Sequence, residues 1–284
     1  MANFTNQRAT FRKLHDSGCF VIPNPWDIGS ARFLQSLGFQ ALATSSAGFA
    51  FSQGLPDSGP GVSRDLVLSH LTQIAHASDL PVNADFQDGY ATSAEELVES
   101  VKLCIATGVS GFSIEDATGD SSRPLYEFDD ALDRIRLVRQ TIDELGADVM
   151  LTARSECFLV GHPDPLKESI RRLQAYAEAG ADVLFAPGPG DREIMGTIIR
   201  EVHPMPVNVI MSAHTGLTVQ DISDLGARRI SVGSALARSA WTGFIHSAKL
   251  LAQGSFEGLD NLAPFKELNS FFQDDSKARS GMSS

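Results

Sequence analysis

Apolar runs of a few residues recur along this chain, and several stop abruptly at a polar or charged side chain. Cys19-Phe20-Val21-Ile22, Ala41-Leu42-Ala43, Pro81-Val82-Asn83-Ala84 and Gly111-Phe112-Ser113-Ile114 are the first four. Val149-Met150-Leu151, Val183-Leu184-Phe185, Pro206-Val207-Asn208-Val209 and Ile230-Ser231-Val232 follow. They are too short for helices and are bounded by turn residues, so they predict buried parallel strands. Between them the apolar period changes to three and four. Leu132, Ile135, Val138 and Ile142 mark one helix face over 128–145, and a second helix is predicted over 165–179. Ser93-Ala94-Glu95-Glu96 is a capping box opening a helix that runs to Ala106. Gly38, Gly108, Gly146, Gly180 and Gly226 each close a helix two or three residues before a strand, the place for a left-handed cap and a short return loop.

Eight strands alternating with helices predict a (β/α)8 barrel, a TIM barrel. An open doubly wound sheet would carry a glycine-rich loop after its first strand, where this chain has Pro23-Asn24-Pro25-Trp26-Asp27. Beyond the eighth strand, helices are predicted at 234–252 and 261–272, with Trp241, Phe244, Ile245, Phe265, Leu268 and Phe271 among their apolar residues. So much apolar surface outside a closed barrel needs cover from its own chain or a neighbouring subunit. Residues 1–274 are therefore read as one barrel domain with a helical extension, and the polar stretch 275–284 as a disordered tail.

Composition narrows the class. The 284 residues carry a formal charge of −12, which argues against nucleic acid or an anionic membrane as partner. Three scattered cysteines, Cys19, Cys104 and Cys157, form no C-x-x-C pair, so reduced thiols and a cytoplasmic setting are expected. The opening residues are polar and mixed in charge, unlike a signal peptide, and no apolar run approaches membrane-spanning length.

On a barrel, ligands sit at the carboxyl ends of the strands. Those ends carry Asn24, Ser45-Ser46, Asp85, Glu115-Asp116, Arg154, Pro187, Asn208 and Ser234. Asp85 and Glu115, on neighbouring strands, can hold a magnesium or manganese ion with water filling the remaining positions. Arg154, one strand further round, offers a planar fork for a carboxylate. A metal with a carboxylate anchor suits stabilisation of an enolate. The competing reading is a structural ion-pair network at the strand ends.

Several segments together resemble the phosphoenolpyruvate mutase/isocitrate lyase superfamily. They are Asn24-Pro25-Trp26-Asp27, Thr44-Ser45-Ser46-Ala47-Gly48, Gly54-Leu55-Pro56-Asp57, Asn83-Ala84-Asp85, Ser113-Ile114-Glu115-Asp116 and Thr152-Ala153-Arg154. The resemblance implies a magnesium-dependent lyase or mutase that breaks a C–C or C–P bond beside an α-oxycarboxylate. By the same resemblance Asp85 contacts the metal, Glu115 holds it through water, and Ser45, Ser46 and Ala47 cradle substrate oxygens. Arg154 neutralises the substrate and Asp57 lies near the reacting end. The terminal helices are expected to pack on a neighbouring subunit in a homo-oligomer, a tetramer by this resemblance.

The departures are informative. Asn83 stands where members often have a second aspartate, and neither it nor Asp88 is expected to ligate the metal directly. The loop from Asp116 to Tyr126 lacks the cysteine that isocitrate and methylisocitrate lyases use as an acid, and it has no histidine or lysine. It also lacks the lysine and asparagine expected of a phosphonopyruvate mutase. The expectation is a lyase cleaving the bond β to the carboxylate of a small 2-oxo or 2-hydroxy acid through a magnesium-bound enolate, with oxaloacetate decarboxylation the simplest case. Catalytic roles fall to Asp57, Arg154 and Glu115, and substrate contacts to Ser45, Ser46, Ala47, Arg154 and Asn208. A phosphonopyruvate C–P enzyme and a non-catalytic binder of 2-oxo acids are the alternatives. Cys157 reads first as a core residue, His162 and His214 as surface-loop residues, Tyr126 as an aromatic cover or proton donor, and Arg228-Arg229 as a solvated pair.

Overall fold

The structure is a computed structural model that describes residues 4–57 and 61–281. The strands are β1 (Phe20–Ile22), β2 (Leu42–Ala43), β3 (Val82–Asp85), β4 (Gly111–Glu115), β5 (Met150–Arg154), β6 (Val183–Phe185), β7 (Val207–Ile210) and β8 (Arg229–Ser231). They form one eight-stranded sheet in the order β1-β8-β7-β6-β5-β4-β3-β2, and every recorded pair is parallel. The backbone N–H of Ala43 reaches Pro23 O at 3.0 Å across the remaining seam, so the sheet curls into a nearly closed barrel. This is the (β/α)8 barrel read from the sequence.

Helices alternate with the strands: α1 (Thr5–Leu14), α2 (Ile28–Ser36), α3 (Ser46–Ser52), α4 (Arg64–Ala77), α5 (Ala94–Ala106), α6 (Phe128–Glu144), α7 (Pro165–Glu178), α8 (Arg192–Glu201) and α9 (Val219–Asp224). Capping boxes open three of them: Asp27 with Ser30, Ser93 with Glu96, and Thr218 with Asp221. Each satisfies backbone N–H groups that a helix start leaves unpaired.

Strand alternation divides the interior in two. Outward residues such as Val82, Ala84, Phe112, Ile114, Leu151, Leu184, Val209 and Ile230 join the core between sheet and helices. Inward residues at the amino ends of the strands form a small separate cluster of Phe20, Ile22, Ala41, Ala43, Met150 and Val183, with Phe11 of α1 fully buried among them. Gly111 makes room for that plug. A Cβ there would lie 2.8 Å from the Phe11 ring and 2.9 Å from Asn83 Oδ1. Above the plug the inward positions turn polar, and these carry the chemistry.

The chain divides into two compact units, Met1–Leu236 and Ala237–Ser284. In the second, α10 (Ala235–Ala252), a 3-10 turn (Glu257–Leu259) and α11 (Phe265–Arg279) bury only Ala237 among the described residues. Phe244, Phe256 and Phe265 are 61, 74 and 83% exposed. The tail expected from Asp275 onward is instead helical as far as Arg279, where the i,i+4 pair Asp275–Arg279 closes at 3.0 Å. The last three residues of that expected tail lie outside the described ones.

Candidate active site

The residues singled out at the ends of β3, β4 and β5 converge. Asp85 is held by three partners. Its backbone N–H donates to the Thr44 hydroxyl at 2.9 Å, its Oδ2 accepts from Ser46 N–H at 3.0 Å, and its Oδ1 faces Arg154 Nη1 at 3.2 Å. The same Nη1 lies 3.1 Å from Glu115 Oε2, as the β4–β5 register directs by pairing Glu115 with Arg154. Arg154 Nε donates to Glu156, and its guanidinium stands 5.5 Å from the centre of the Phe185 ring. One guanidinium therefore touches three acids.

Asp57 adds a fourth acid. It lines one pocket with Ser45, Ser46, Asp85, His70 and Tyr90. A second pocket lies on the barrel axis, lined in part by Asn24, Asn83, Asp85, Arg154, Asn208, Arg229 and Ser231. Thr44 and Asp85 border both. Ser45 caps α3, accepting from Gly48 N–H at 3.1 Å, while Ala47 in that first helical turn lines neither cavity.

Burial and surplus negative charge move the acids together. Burial pushes Glu115 well above the usual carboxylate range, with the Arg154 charge working against it. Burial raises Glu156 too, again opposed by Arg154. Asp57 rises to about 6 through burial and the charge of Asp85, although it keeps contact with solvent. Burial disfavours the Arg154 charge, but Glu115, Glu156 and Asp85 outweigh it and raise that pKa. Four carboxylates against one guanidinium is a donor set with charge to spare for a hard cation. Among the described residues, no group of three or more His, Cys, Asp and Glu side chains is arranged as a metal site. The fit is thus to an ion held by one or two carboxylates, with water and substrate oxygens completing its shell, as magnesium commonly is.

Sequence reasoning missed the supports. Glu156 pairs with Arg154, and Asp116 holds Glu156 in place by accepting its backbone N–H at 2.8 Å. The other Asp116 oxygen accepts from Arg172 at 3.1 Å and from the Tyr176 hydroxyl at 2.8 Å. Arg172 also donates to Tyr126 O at 3.1 Å, tying α7 to the loop after β4. The spacing of Arg154 and Glu156, two apart, was the available signal.

Other singled-out residues fall away from the chemistry. Asp88 is spent on the Tyr90 N–H at 3.0 Å and the Tyr126 hydroxyl at 3.2 Å. Cys157 is fully buried and its sulfur takes the Ser155 hydroxyl at 3.3 Å; burial raises its pKa. His162 accepts the Asp164 N–H within its own loop, and His214 is exposed. The loop after β4 folds on itself, with a bridge between Ala117 and Leu125 and Thr118 N–H on Pro124 O at 3.0 Å.

Arg229 overturns an expectation. Read as part of a solvated pair, it is instead 3% exposed, because the β1–β8 register sets it opposite Phe20 and turns it into the barrel. It donates to Asn208 Oδ1 and to Thr152 Oγ1, each at 2.9 Å. Burial with no acid in contact pulls it down to about 9, the opposite direction from Arg154.

A metal-competent carboxylate cluster at the mouth of a (β/α)8 barrel defines a class of enzyme, and comparison with known proteins gives the family. A family model described as phosphoenolpyruvate phosphomutase matches residues 11–252, and the chain belongs to that family. It is accordingly an enzyme of the isocitrate lyase/phosphoenolpyruvate mutase type. A solved structure of a presumed lyase/mutase from Burkholderia cenocepacia J2315 superposes with a TM-score of 0.90 at 40% identity, covering 95% of this chain and 97% of that one. The uncharacterised protein Rv1998c of Mycobacterium tuberculosis is 29% identical over 91% of this chain and 94% of its own length. An oxaloacetate decarboxylase of Paraburkholderia xenovorans is 27% identical over 81% of this chain and 76% of its own length.

Proposed function

We propose that this protein is a magnesium- or manganese-dependent lyase that cleaves the C–C bond β to the carboxylate of a small 2-oxo or 2-hydroxy acid, with oxaloacetate as the simplest substrate. The observation that carries this reading is the self-contained loop after β4. It brings no cysteine, histidine or lysine to the cluster of Asp57, Asp85, Glu115, Arg154 and Glu156. Decarboxylation suits such a site because carbon dioxide leaves without a protein acid. The likeness to a decarboxylase adds support.

Asp85 and Glu115 would hold the ion, which when bound polarises the 2-oxygen of the substrate as a Lewis acid. Ser45 and Ser46 hold the substrate carboxylate at the start of α3, and Arg154 offsets its charge; Ala47, which lines neither pocket, has no part in this. Glu156 and Asp116 fix Arg154 in place, while Asp57 orients the departing end. The C3–C4 bond of oxaloacetate breaks, its electron pair forms the C2–C3 enolate, and C4 leaves as carbon dioxide. Water then delivers a proton to C3.

The test is turnover of oxaloacetate, phosphonopyruvate, dimethylmalate and methylisocitrate with magnesium, with and without chelator. Chelator-sensitive decarboxylation of oxaloacetate supports the reading. Faster turnover of methylisocitrate overturns the argument from the loop, preferred turnover of phosphonopyruvate points to C–P chemistry, and turnover of none leaves a binder of 2-oxo acids. The exposed Trp241, Phe244, Phe256 and Phe265 of the second unit support assembly as a homo-oligomer, a tetramer in this reading. Light scattering showing a monomer at micromolar concentration would remove that claim. No helix among the described residues is long and apolar enough to cross a membrane, and with the scattered free thiols this fits work in the cytoplasm on a small acid.

A further inference from the structure

Tyr90 is held in a backbone conformation that a tyrosine rarely takes. Its φ is +52°, and Gln87, in the same turn after β3, has a φ of +46°. Left-handed angles outside glycine persist only where the surroundings impose them, and such positions gather at functional sites. The Tyr90 N–H donates to Asp88 Oδ1 at 3.0 Å, and the Gly89 N–H donates to Phe86 O at 2.9 Å. Ser100 donates to Gly89 O, and Arg134 donates to Asp88 O and, at 3.1 Å, to Ala91 O. The Tyr90 ring stands edge-on to Phe86, with centroids 5.3 Å apart. The turn is therefore fixed on both sides of Tyr90.

This brings a phenol to the carboxylates. Tyr90 lines the pocket that also holds Ser45, Ser46, Asp57 and Asp85, and its hydroxyl has no hydrogen-bond partner among the described residues. Burial and the charges of Asp85, Glu115, Asp57 and Asp88 push its pKa upward, so the phenol keeps its proton. The other titratable groups of the pocket are less suited to give one. Asp57, raised to about 6, is mostly ionised at neutral pH, and His70, depressed to about 4, is a neutral imidazole. Asp85 is engaged by Arg154 and by the Ser46 N–H. Tyr90 is left as the proton carrier.

We propose that Tyr90 is a catalytic residue, the group through which the proton from water reaches C3 of the enolate. This rests on the lyase reading of the strand-end cluster, whose chemistry leaves C3 to be protonated while the loop after β4 offers no cysteine, histidine or lysine. A substrate with its carboxylate against Ser45 and Ser46 and its 2-oxygen near Asp85 occupies the pocket that Tyr90 borders. The C2–C3 electron pair of the enolate forms the new C3–H bond as the Tyr90 O–H bond breaks, and the O–H electron pair stays on the phenolate oxygen. Water returns a proton to the phenolate and leaves as hydroxide.

The transfer runs in both directions, so its test starts from pyruvate. With magnesium in D2O, NMR should show the wild type exchanging the pyruvate methyl protons, and Tyr90→Phe exchanging them about a hundredfold more slowly at saturating pyruvate. Oxaloacetate that Tyr90→Phe still cleaves should appear first as free enolpyruvate, because cleavage precedes the missing step. A purely structural Tyr90 slows cleavage and releases no enolpyruvate. Absence of exchange in the wild type, undiminished exchange in Tyr90→Phe, or cleavage by that variant without free enolpyruvate overturns the assignment. If circular dichroism shows Tyr90→Phe to be unfolded, 3-fluorotyrosine in place of Tyr90 decides. Its more acidic phenol populates more phenolate and should speed exchange at fixed pH, and an unchanged rate overturns the assignment. Oxaloacetate cleavage with exchange undiminished in Tyr90→Phe refutes the role of Tyr90 and leaves the lyase. Exchange that depends on Tyr90, with no acid cleaved, refutes the lyase and leaves Tyr90 as an acid–base group.

Discussion

Two layers of one barrel treat the same side chain in opposite ways. At the strand ends Arg154 is crowded by Asp85, Glu115 and Glu156, and its charge is reinforced. One layer down, Arg229 is more deeply buried and has amide, hydroxyl and imidazole neighbours, and its charge is opposed. Arg172 supplies the reference: buried on the outside of the sheet, it has Asp116 at 3.1 Å and Glu168 at 2.8 Å and is fully paired. Local charge balance thus separates a site from a scaffold. The strand-end layer has too many acids, the axial layer too few, and the shell behind them is even. Surplus of either sign inside a protein is costly unless a ligand or ion offsets it.

The largest expected effect follows from removing the single cation of the acid-rich layer. Arg154→Met should lower kcat for oxaloacetate by about a hundredfold to a thousandfold, the loss typical of one preorganised electrostatic group. Steady-state kinetics on folded protein checks it. A change confined to KM would mean that Arg154 holds substrate and transition state alike.

Next comes the paired reference. Asp116→Ala leaves Arg172 with Glu168 alone and removes the acceptor of both the Tyr176 hydroxyl and the Glu156 N–H, so it should destabilise the fold by about 3 kcal/mol or more. Urea unfolding measures this directly. A loss below 1 kcal/mol, about that of an ordinary surface substitution, would show that water replaces the acid and that the shell is not closed.

How much of this was legible follows from the alternation of the strands. The barrel could be read because outward residues such as Val82, Ala84, Phe112 and Leu151 make apolar runs that end at Asp85, Glu115 and Arg154. The strand-end residues were found for the same reason. Arg229 was misread because Arg228 beside it suggests a solvated pair, although the alternation Arg229-Ile230-Ser231 already places Ile230 outward and its neighbours inward. Helix α1 was illegible, since Phe11 is a lone plug within a polar segment and only the open base of the barrel explains it. Asp116 and Arg172 are 56 residues apart, and no local pattern couples them. The helix end at Arg279 was lost because a polar composition describes exposure and not disorder.

Metal binding sharpens the comparison on the acid-rich side. Asp85→Ala and Glu115→Ala should each weaken magnesium binding by at least about tenfold, or 1.4 kcal/mol, in calorimetric titration. Arg229→Gln, in the layer without acids, should leave it unaltered. Equal affinity in wild type and both acid variants would place the ion elsewhere.

The smallest effect belongs to Asp57, whose carboxyl rises from 3.8 to about 6 through burial and the charge of Asp85. In metal-free protein its proton is held more tightly folded than unfolded between those two values. Its contribution is therefore complete below about pH 4 and is lost as pH rises through 6. Glu115 and Glu156, also raised, act in the same direction, whereas His15 and His70, depressed to about 3 and about 4, act against them. The difference between wild type and Asp57→Asn cancels those common contributions. Solvent contact at Asp57 keeps the effect under about 1 kcal/mol. In urea titrations with chelator, Asp57→Asn should gain stability relative to wild type between pH 4 and pH 7. A difference that does not change with pH would show that Asp57 titrates like an ordinary surface aspartate and that the surplus charge of the strand-end layer stops at Asp85.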